Sequence, residues 1–111
     1  MIRPGTSSSV GLGFKIEIPE GHYMDVRPRS GLALKWSVTV MNSPGTVDSD
    51  YRGEVKVLVF NAGDRNFTIR PGDRIAQAKV EKYEKTEFVV EMQEDLTPTL
   101  RGEGGYGSTG T

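Results

Sequence analysis

Between Asn42 and Gly53 the chain reads Asn-Ser-Pro-Gly-Thr-Val-Asp-Ser-Asp-Tyr-Arg-Gly, which sets two carboxylates, an aromatic ring and a guanidinium inside a run of turn residues. A connecting loop has little need of that density. If Thr46 to Tyr51 is extended, Asp48 and Asp50 share strand parity and their carboxylates lean to one face, where a pair could order a water or a cation. The alternative is two turn-capping aspartates, each bonded to nearby N–H groups. A second strip with chemical content runs from Arg101 to Thr109, where four glycines surround Tyr106 and an arginine and two hydroxyls flank them. Glycine lets backbone N–H groups approach an anion closely, and Arg101, Ser108 and Thr109 add charge and hydrogen bonds, so the strip suits a phosphate chain. The same composition also describes a mobile Gly/Ser terminus.

Composition limits what else the chain does. With 111 residues it forms one domain, small enough for partner subunits to contribute much of the buried apolar area. A net charge of −1, from 14 basic and 15 acidic residues, leaves no electrostatic footprint for nucleic acid or for an anionic membrane. There is no cysteine, hence no disulfide, thiolate metal site or cysteine nucleophile, and the one histidine, His22, excludes a multi-histidine zinc site within a single chain. No stretch reads as a signal peptide or a membrane span, so the expectation is a soluble protein, cytoplasmic or otherwise intracellular.

The elements that must position these residues are strands. Val10, Leu12, Phe14, Ile16 and Ile18 alternate with smaller or charged residues and predict a first strand with one buried face. Turns at Pro19-Glu20-Gly21, Asn42-Ser43-Pro44-Gly45, Asn61-Ala62-Gly63-Asp64 and Pro71-Gly72 separate further strand candidates at Tyr23–Arg27, Val38–Val40, Glu54–Phe60, Phe67–Arg70 and Ile75–Val80, with a last one at Glu87–Met92. Val55, Val57 and Val59 face one way and Leu58 and Phe60 the other, so Glu54–Phe60 is expected to be covered on both sides. Leu32–Lys35 suits a helical turn, and no long amphipathic helix is expected. Many short strands with Gly/Pro turns predict an all-β sandwich, jelly roll or barrel.

Four segments in order then carry a resemblance: Pro28-Arg29-Ser30-Gly31-Leu32-Ala33, Asn42 to Gly53, Gly72-Asp73-Arg74-Ile75-Ala76-Gln77, and Arg101 to Gly110. The chain resembles the trimeric deoxyuridine triphosphatases (dUTPases), in which these are the second to fifth of five motifs. The resemblance implies an all-β jelly-roll-like subunit of a homotrimer with C-terminal arm exchange, a β domain over 1–96 and a Gly-rich arm over 97–111. It implies hydrolysis of dUTP to dUMP and pyrophosphate by water attack on the α-phosphorus. Asp48 is then the general base, and Tyr51 packs under the deoxyribose and refuses a 2′-hydroxyl. Asn42, Gly45, Thr46, Val47 and Lys56 surround the uracil. Arg29, Ser30, Gly31 and Gln77 take the phosphates across a subunit boundary, while Arg101, Gly105, Tyr106, Gly107 and Ser108 close over the nucleotide with Tyr106 stacked on the base.

One departure accompanies it. The first motif, an Ala-Gly-Tyr-Asp-Leu-like segment, has no counterpart between Met1 and Val10, and with it goes the aspartate that in relatives holds Mg²⁺ through water. The cofactor implied is Mg²⁺ with unknown protein ligands, Asp25 and Asp50 being acids that would stand in. A dUTP-binding but catalytically impaired protein is therefore a second expectation, and a β-sandwich protein-interaction module a third, although that one leaves the four ordered motifs unexplained.

Overall fold

The structure, a computed structural model, describes residues 1–107 and 110. Its strands form two three-stranded antiparallel sheets, as expected of an all-β jelly-roll-like subunit. In the first sheet β1 (Ser7–Lys15), β5 (Glu54–Asn61) and β3 (Val38–Val40) lie in the order β1-β5-β3, and in the second β4 (Gly45–Asp48), β2 (His22–Arg27) and β6 (Gln77–Lys82) lie in the order β4-β2-β6. One helix, α1 (Ser30–Trp36), and a 3₁₀ turn (Gln93–Asp95) complete the regular structure among the described residues.

Period-two patterning explains the core between the sheets. Val55, Val57 and Val59 of β5 are each 1% exposed and meet Met24 and Val26 of β2 and Val38 and Val40 of β3. Leu58 and Phe60, on the opposite face of β5, are half-buried. Asn61 closes β5 with no exposure at all, yet its amide is fully used. Its Nδ2 donates to the carbonyls of Ile2 (2.9 Å) and Arg65 (2.8 Å), and its Oδ1 accepts from the Gly63 N–H (2.9 Å). A side chain read as a turn former thus joins the N-terminal segment to the loop after β5.

Several expected strands end elsewhere. The alternation from Val10 to Ile18 continues past the pairing. β1 stops at Lys15, its register against β5 breaks between Gly11 and Lys15, and Leu12 and Phe14 are left exposed. Phe67–Arg70 forms a single bridge, Phe67 with Ile2, instead of a strand, and β6 starts at Gln77, after a turn that closes at Asp73 and an unpaired stretch from Arg74 to Ala76. Glu87–Met92 pairs with no strand among the described residues, with Phe88 93% and Val90 fully exposed. The helical turn proposed for Leu32–Lys35 grows to Ser30–Trp36 and ends on Ser37 in the left-handed conformation (φ 55°). Trp36 packs edge-on against Phe67 (5.5 Å), with the Arg65 guanidinium 4.0 Å over the indole.

Candidate active site

Asp48 lies at the corner where the chain leaves one sheet for the other. It is the last residue of β4, its carbonyl accepts the Tyr51 N–H (3.2 Å), and β5 begins at Glu54 in the opposite sheet. Strand geometry ends at Asp48, so the extended stretch to Tyr51 assumed from the sequence does not form. Asp48 and Asp50 nevertheless line one cavity of about 580 Å³, together with Asp25, Thr46 and Tyr23. Asp25 is buried at the floor of that cavity, where its carboxylate accepts from Thr46 Oγ1 (3.0 Å) and from the Arg27 guanidinium (3.3 Å).

On the other side of the same corner is a smaller cavity of about 200 Å³ walled by Thr46, Val47, Asp48, Tyr51, Glu54 and Lys56. A neighbouring one of similar size adds Asn42 and Gly45 to Thr46, Val47 and Lys56. Gly45 is buried beneath the Asn42 amide, whose atoms would stand 3.3 Å from any Cβ placed there. Each of these spaces is large enough to admit a pyrimidine ring. Tyr51 is held by its hydroxyl, which donates to the Glu54 carbonyl (2.7 Å), so the ring folds back over Gly53. A Cβ on Gly53 would stand 2.6 Å from the ring carbon Cζ of Tyr51, a distance real side chains do not tolerate. The sequence signalled Tyr51 but neither Gly53 nor Glu54, whose roles depend on what the turn brings beside them.

The expected phosphate-binding residues form a second group. Arg29 precedes α1 and donates from Nη1 to the Arg74 carbonyl (3.0 Å), while Gln77 Nε2 donates to the Pro28 carbonyl (2.9 Å). The loop carrying Arg29, Ser30 and Gly31 is therefore pinned to the start of β6, with Ser30 and Gly31 exposed in the first turn of α1. This group stands at the opposite end of β2 from Asp48. Tyr23 pairs with Asp48 near the start of the strand, and the four steps from Tyr23 to Arg27 alone span about 13 Å.

None of the described residues of the Gly-rich strip lines the cavities above or bonds to the residues of either group. Arg101 Nε donates to the Gly104 carbonyl (2.6 Å), Gly105 is half-buried, Gly107 has a positive φ (83°), and Tyr106 is fully exposed. Ser108, expected to bind phosphate, lies outside the described residues, as does Thr109. The radius of gyration, 19.0 Å, compares with about 13 Å for a compact chain of this length, because the segment beyond β6 reaches away from the sheets.

A family model described as dUTPase matches residues 1–110. The chain belongs to the dUTPase family. It is 56% identical over 110 residues to a deoxyuridine 5′-triphosphate nucleotidohydrolase of Caulobacter vibrioides, an alignment covering 99% of this chain and 70% of that relative. Among solved structures it resembles a dUTPase variant of Staphylococcus bacteriophage 80alpha bound to dUpNHpp, with a TM-score of 0.80 at 21% identity over 99% of this chain and 79% of that one. A dUTPase of phage phi11 of S. aureus, described with a structural Mg(II) ion, gives a TM-score of 0.68 at 19% identity, covering 81% and 74%. At that identity the two phage structures establish the fold, whereas membership of the dUTPase family rests on the sequence match.

Proposed function

We propose that the chain hydrolyses dUTP to dUMP and pyrophosphate in a site built from more than one copy of itself. The observation that carries this reading is the convergence of Thr46, Val47, Asp48, Tyr51 and Lys56 on one cavity of about 200 Å³, with Asn42 and Gly45 beside it. The uracil enters that cavity and is read largely by main-chain groups of β4. The deoxyribose rests against Tyr51, and a ribose 2′-hydroxyl meets the ring. Asp48, exposed at the rim and shared with the larger cavity, takes the proton of a water aimed at the α-phosphorus. Much of the rate then comes from alignment and charge stabilisation, as is usual in phosphoryl chemistry.

Two features support a shared site. Asp48 and the Arg29–Gly31 loop stand at opposite ends of β2, so a triphosphate held by one of them meets the other only if a second copy supplies it. The chain also exposes apolar surface that calls for a cover, on β1 at Leu12 and Phe14 and along Phe88–Met92. The reading that joins these is a homotrimer. One copy gives Asp48 and Tyr51, a neighbour gives Arg29, Ser30, Gly31 and Gln77, and the arm of 97–111 brings Arg101, Gly105, Tyr106, Gly107 and Ser108 over the nucleotide from a third.

Magnesium has no dedicated cage here. Among the described residues no three carboxylate or imidazole groups converge as a metal site, and the Asp25 carboxylate is committed to Thr46 and Arg27. Mg²⁺ tolerates this, since it keeps waters and binds phosphate oxygens readily. Bound with the triphosphate it would supply charge stabilisation at the phosphates, and Asp50, on the wall of the larger cavity, would be the acid placed to meet its waters. No helix among the described residues is long and apolar enough to cross a membrane, and the nucleotide substrate is consistent with an intracellular setting.

The test is pyrophosphate release from dUTP, UTP, dTTP and dCTP, with and without Mg²⁺. Release from dUTP alone supports the reading. Tight retention of dUpNHpp without any release would favour a binding protein that does not cleave, and indifference to every nucleotide would favour an interaction module.

A further inference from the structure

We infer that Glu54 positions Tyr51, and with it the sugar discrimination of the site, by tying the corner after β4 to a bulge in β1. The inference rests on the dUTP reading above and adds to it a residue outside the four motif-derived contact sets.

Between the pairs Gly11–Lys56 and Lys15–Glu54 the first strand advances four residues while β5 advances two. The surplus bows outward, Gly13 takes a left-handed φ of 80°, and its N–H loses the ladder partner that regular pairing would supply. The Glu54 carboxylate takes that place, with Oε2 accepting the Gly13 N–H at 3.1 Å. The main chain of the same residue holds the tyrosine, its carbonyl accepting the Tyr51 hydroxyl at 2.7 Å. Glu54 is therefore a two-ended clamp, side chain on β1 and backbone on the ring that faces the sugar. Glycine at 11 makes room for it, because a Cβ there would stand 2.8 Å from one carboxylate oxygen and 2.9 Å from the other. Glu54 is half-buried in the wall of the cavity that Asp48 and Tyr51 also line, so its placement is transmitted directly to the ring.

Sugar discrimination in such a site is steric, and a displacement of about 1 Å decides whether one extra oxygen fits. Glutamine at 54 retains an amide oxygen able to accept the Gly13 N–H, alanine removes the acceptor, and alanine at 11 pushes the carboxylate aside while leaving it present.

The experiment compares kcat/KM for dUTP and UTP in the unaltered protein, Glu54→Gln, Glu54→Ala and Gly11→Ala, and reads the exchange rate of the Gly13 amide in each. The expected result is a dUTP-to-UTP preference kept by Glu54→Gln and reduced roughly tenfold by Glu54→Ala, with a smaller loss in the same direction for Gly11→Ala. Gly13 exchange should quicken most in Glu54→Ala, to a smaller degree in Gly11→Ala, and not in Glu54→Gln. Unchanged preference in Glu54→Ala, or equal Gly13 exchange in the glutamine and alanine variants, overturns the inference. An unaltered protein that ignores dUTP sinks the functional reading instead, and Gly13 exchange then still decides whether the clamp exists.

Discussion

Asp48 stands directly opposite Tyr23 in the antiparallel pairing of β2 with β4, at the end of β2 remote from Arg29. The carboxylate proposed to activate water and the loop proposed to hold phosphate are thus separated by the strand that connects them. A charge that does chemistry on a phosphorus atom has to be within a few ångströms of it, so the separation argues for a partner copy more strongly than any exposed surface does.

Replacing Asp48 with asparagine preserves shape and removes the basic oxygen pair. The side chain is exposed and makes no side-chain hydrogen bond among the described residues, so the fold has little to lose. We expect kcat for dUTP to fall by about 10² to 10⁴, the usual contribution of a positioned general base. Binding of dUpNHpp, measured by calorimetry, should stay within about threefold, since uniform binding is unaffected when a transition-state contact is lost.

Gly53→Ala should do its damage through a neighbour. The added methyl collides with the Tyr51 ring and forces it off the Glu54 carbonyl. We expect kcat/KM for dUTP to fall at least about tenfold while Tm changes little, because Tyr51 is 42% exposed and contributes modestly to the core. Parallel kinetics and thermal melts check both halves of this expectation.

How much of this was legible in the sequence follows the range of the interactions involved. The alternation of Val55, Val57 and Val59 named the central strand because burial on one face of β5 is a local pattern. The resemblance named Asp48, Tyr51 and the Arg29 loop because four motifs occur in order. The short strand Gly45–Asp48 was hidden inside a turn-rich run, since only its pairing with the distant β2 makes it a strand. Leu12 and Phe14 looked buried because alternation says nothing of where pairing breaks. Asn61 looked like a turn residue because asparagine serves equally as a turn former and as a buried hydrogen-bond hub, and sequence does not separate the two.

Asn61→Ala tests that hub. Removing the amide takes one partner from the buried Ile2 carbonyl, which keeps the Phe67 N–H, and leaves the part-buried Arg65 carbonyl and Gly63 N–H without the Asn61 side chain. At about 1–3 kcal/mol for a buried group left unsatisfied, reduced where water reaches the Arg65 and Gly63 groups, a loss of about 2 kcal/mol is expected. Urea denaturation at one fixed protein concentration measures it, the fixed concentration keeping subunit association constant.

Deleting Arg101–Thr111 should leave the two sheets unchanged, because Tyr106 is fully exposed and, among the described residues, Arg101 bonds only within its own strip. If the arm is a lid ordered by nucleotide, the far-ultraviolet spectrum is retained and dUTP turnover falls by at least about 10², the range associated with losing alignment and exclusion of water. Unchanged turnover would remove the arm from the mechanism.

The central claim is tested most directly by complementation between two inactive chains. Asp48→Asn and Arg29→Ala are each purified, mixed in equal amounts, dissociated together and allowed to reassemble, and pyrophosphate release from dUTP is followed. A site drawing Asp48 from one copy and Arg29 from another regains full composition at about a quarter of positions under random assembly into a closed ring. The account predicts recovery near that fraction of unaltered activity. A reassembled mixture as inactive as its components, while the unaltered protein hydrolyses dUTP, would contradict it.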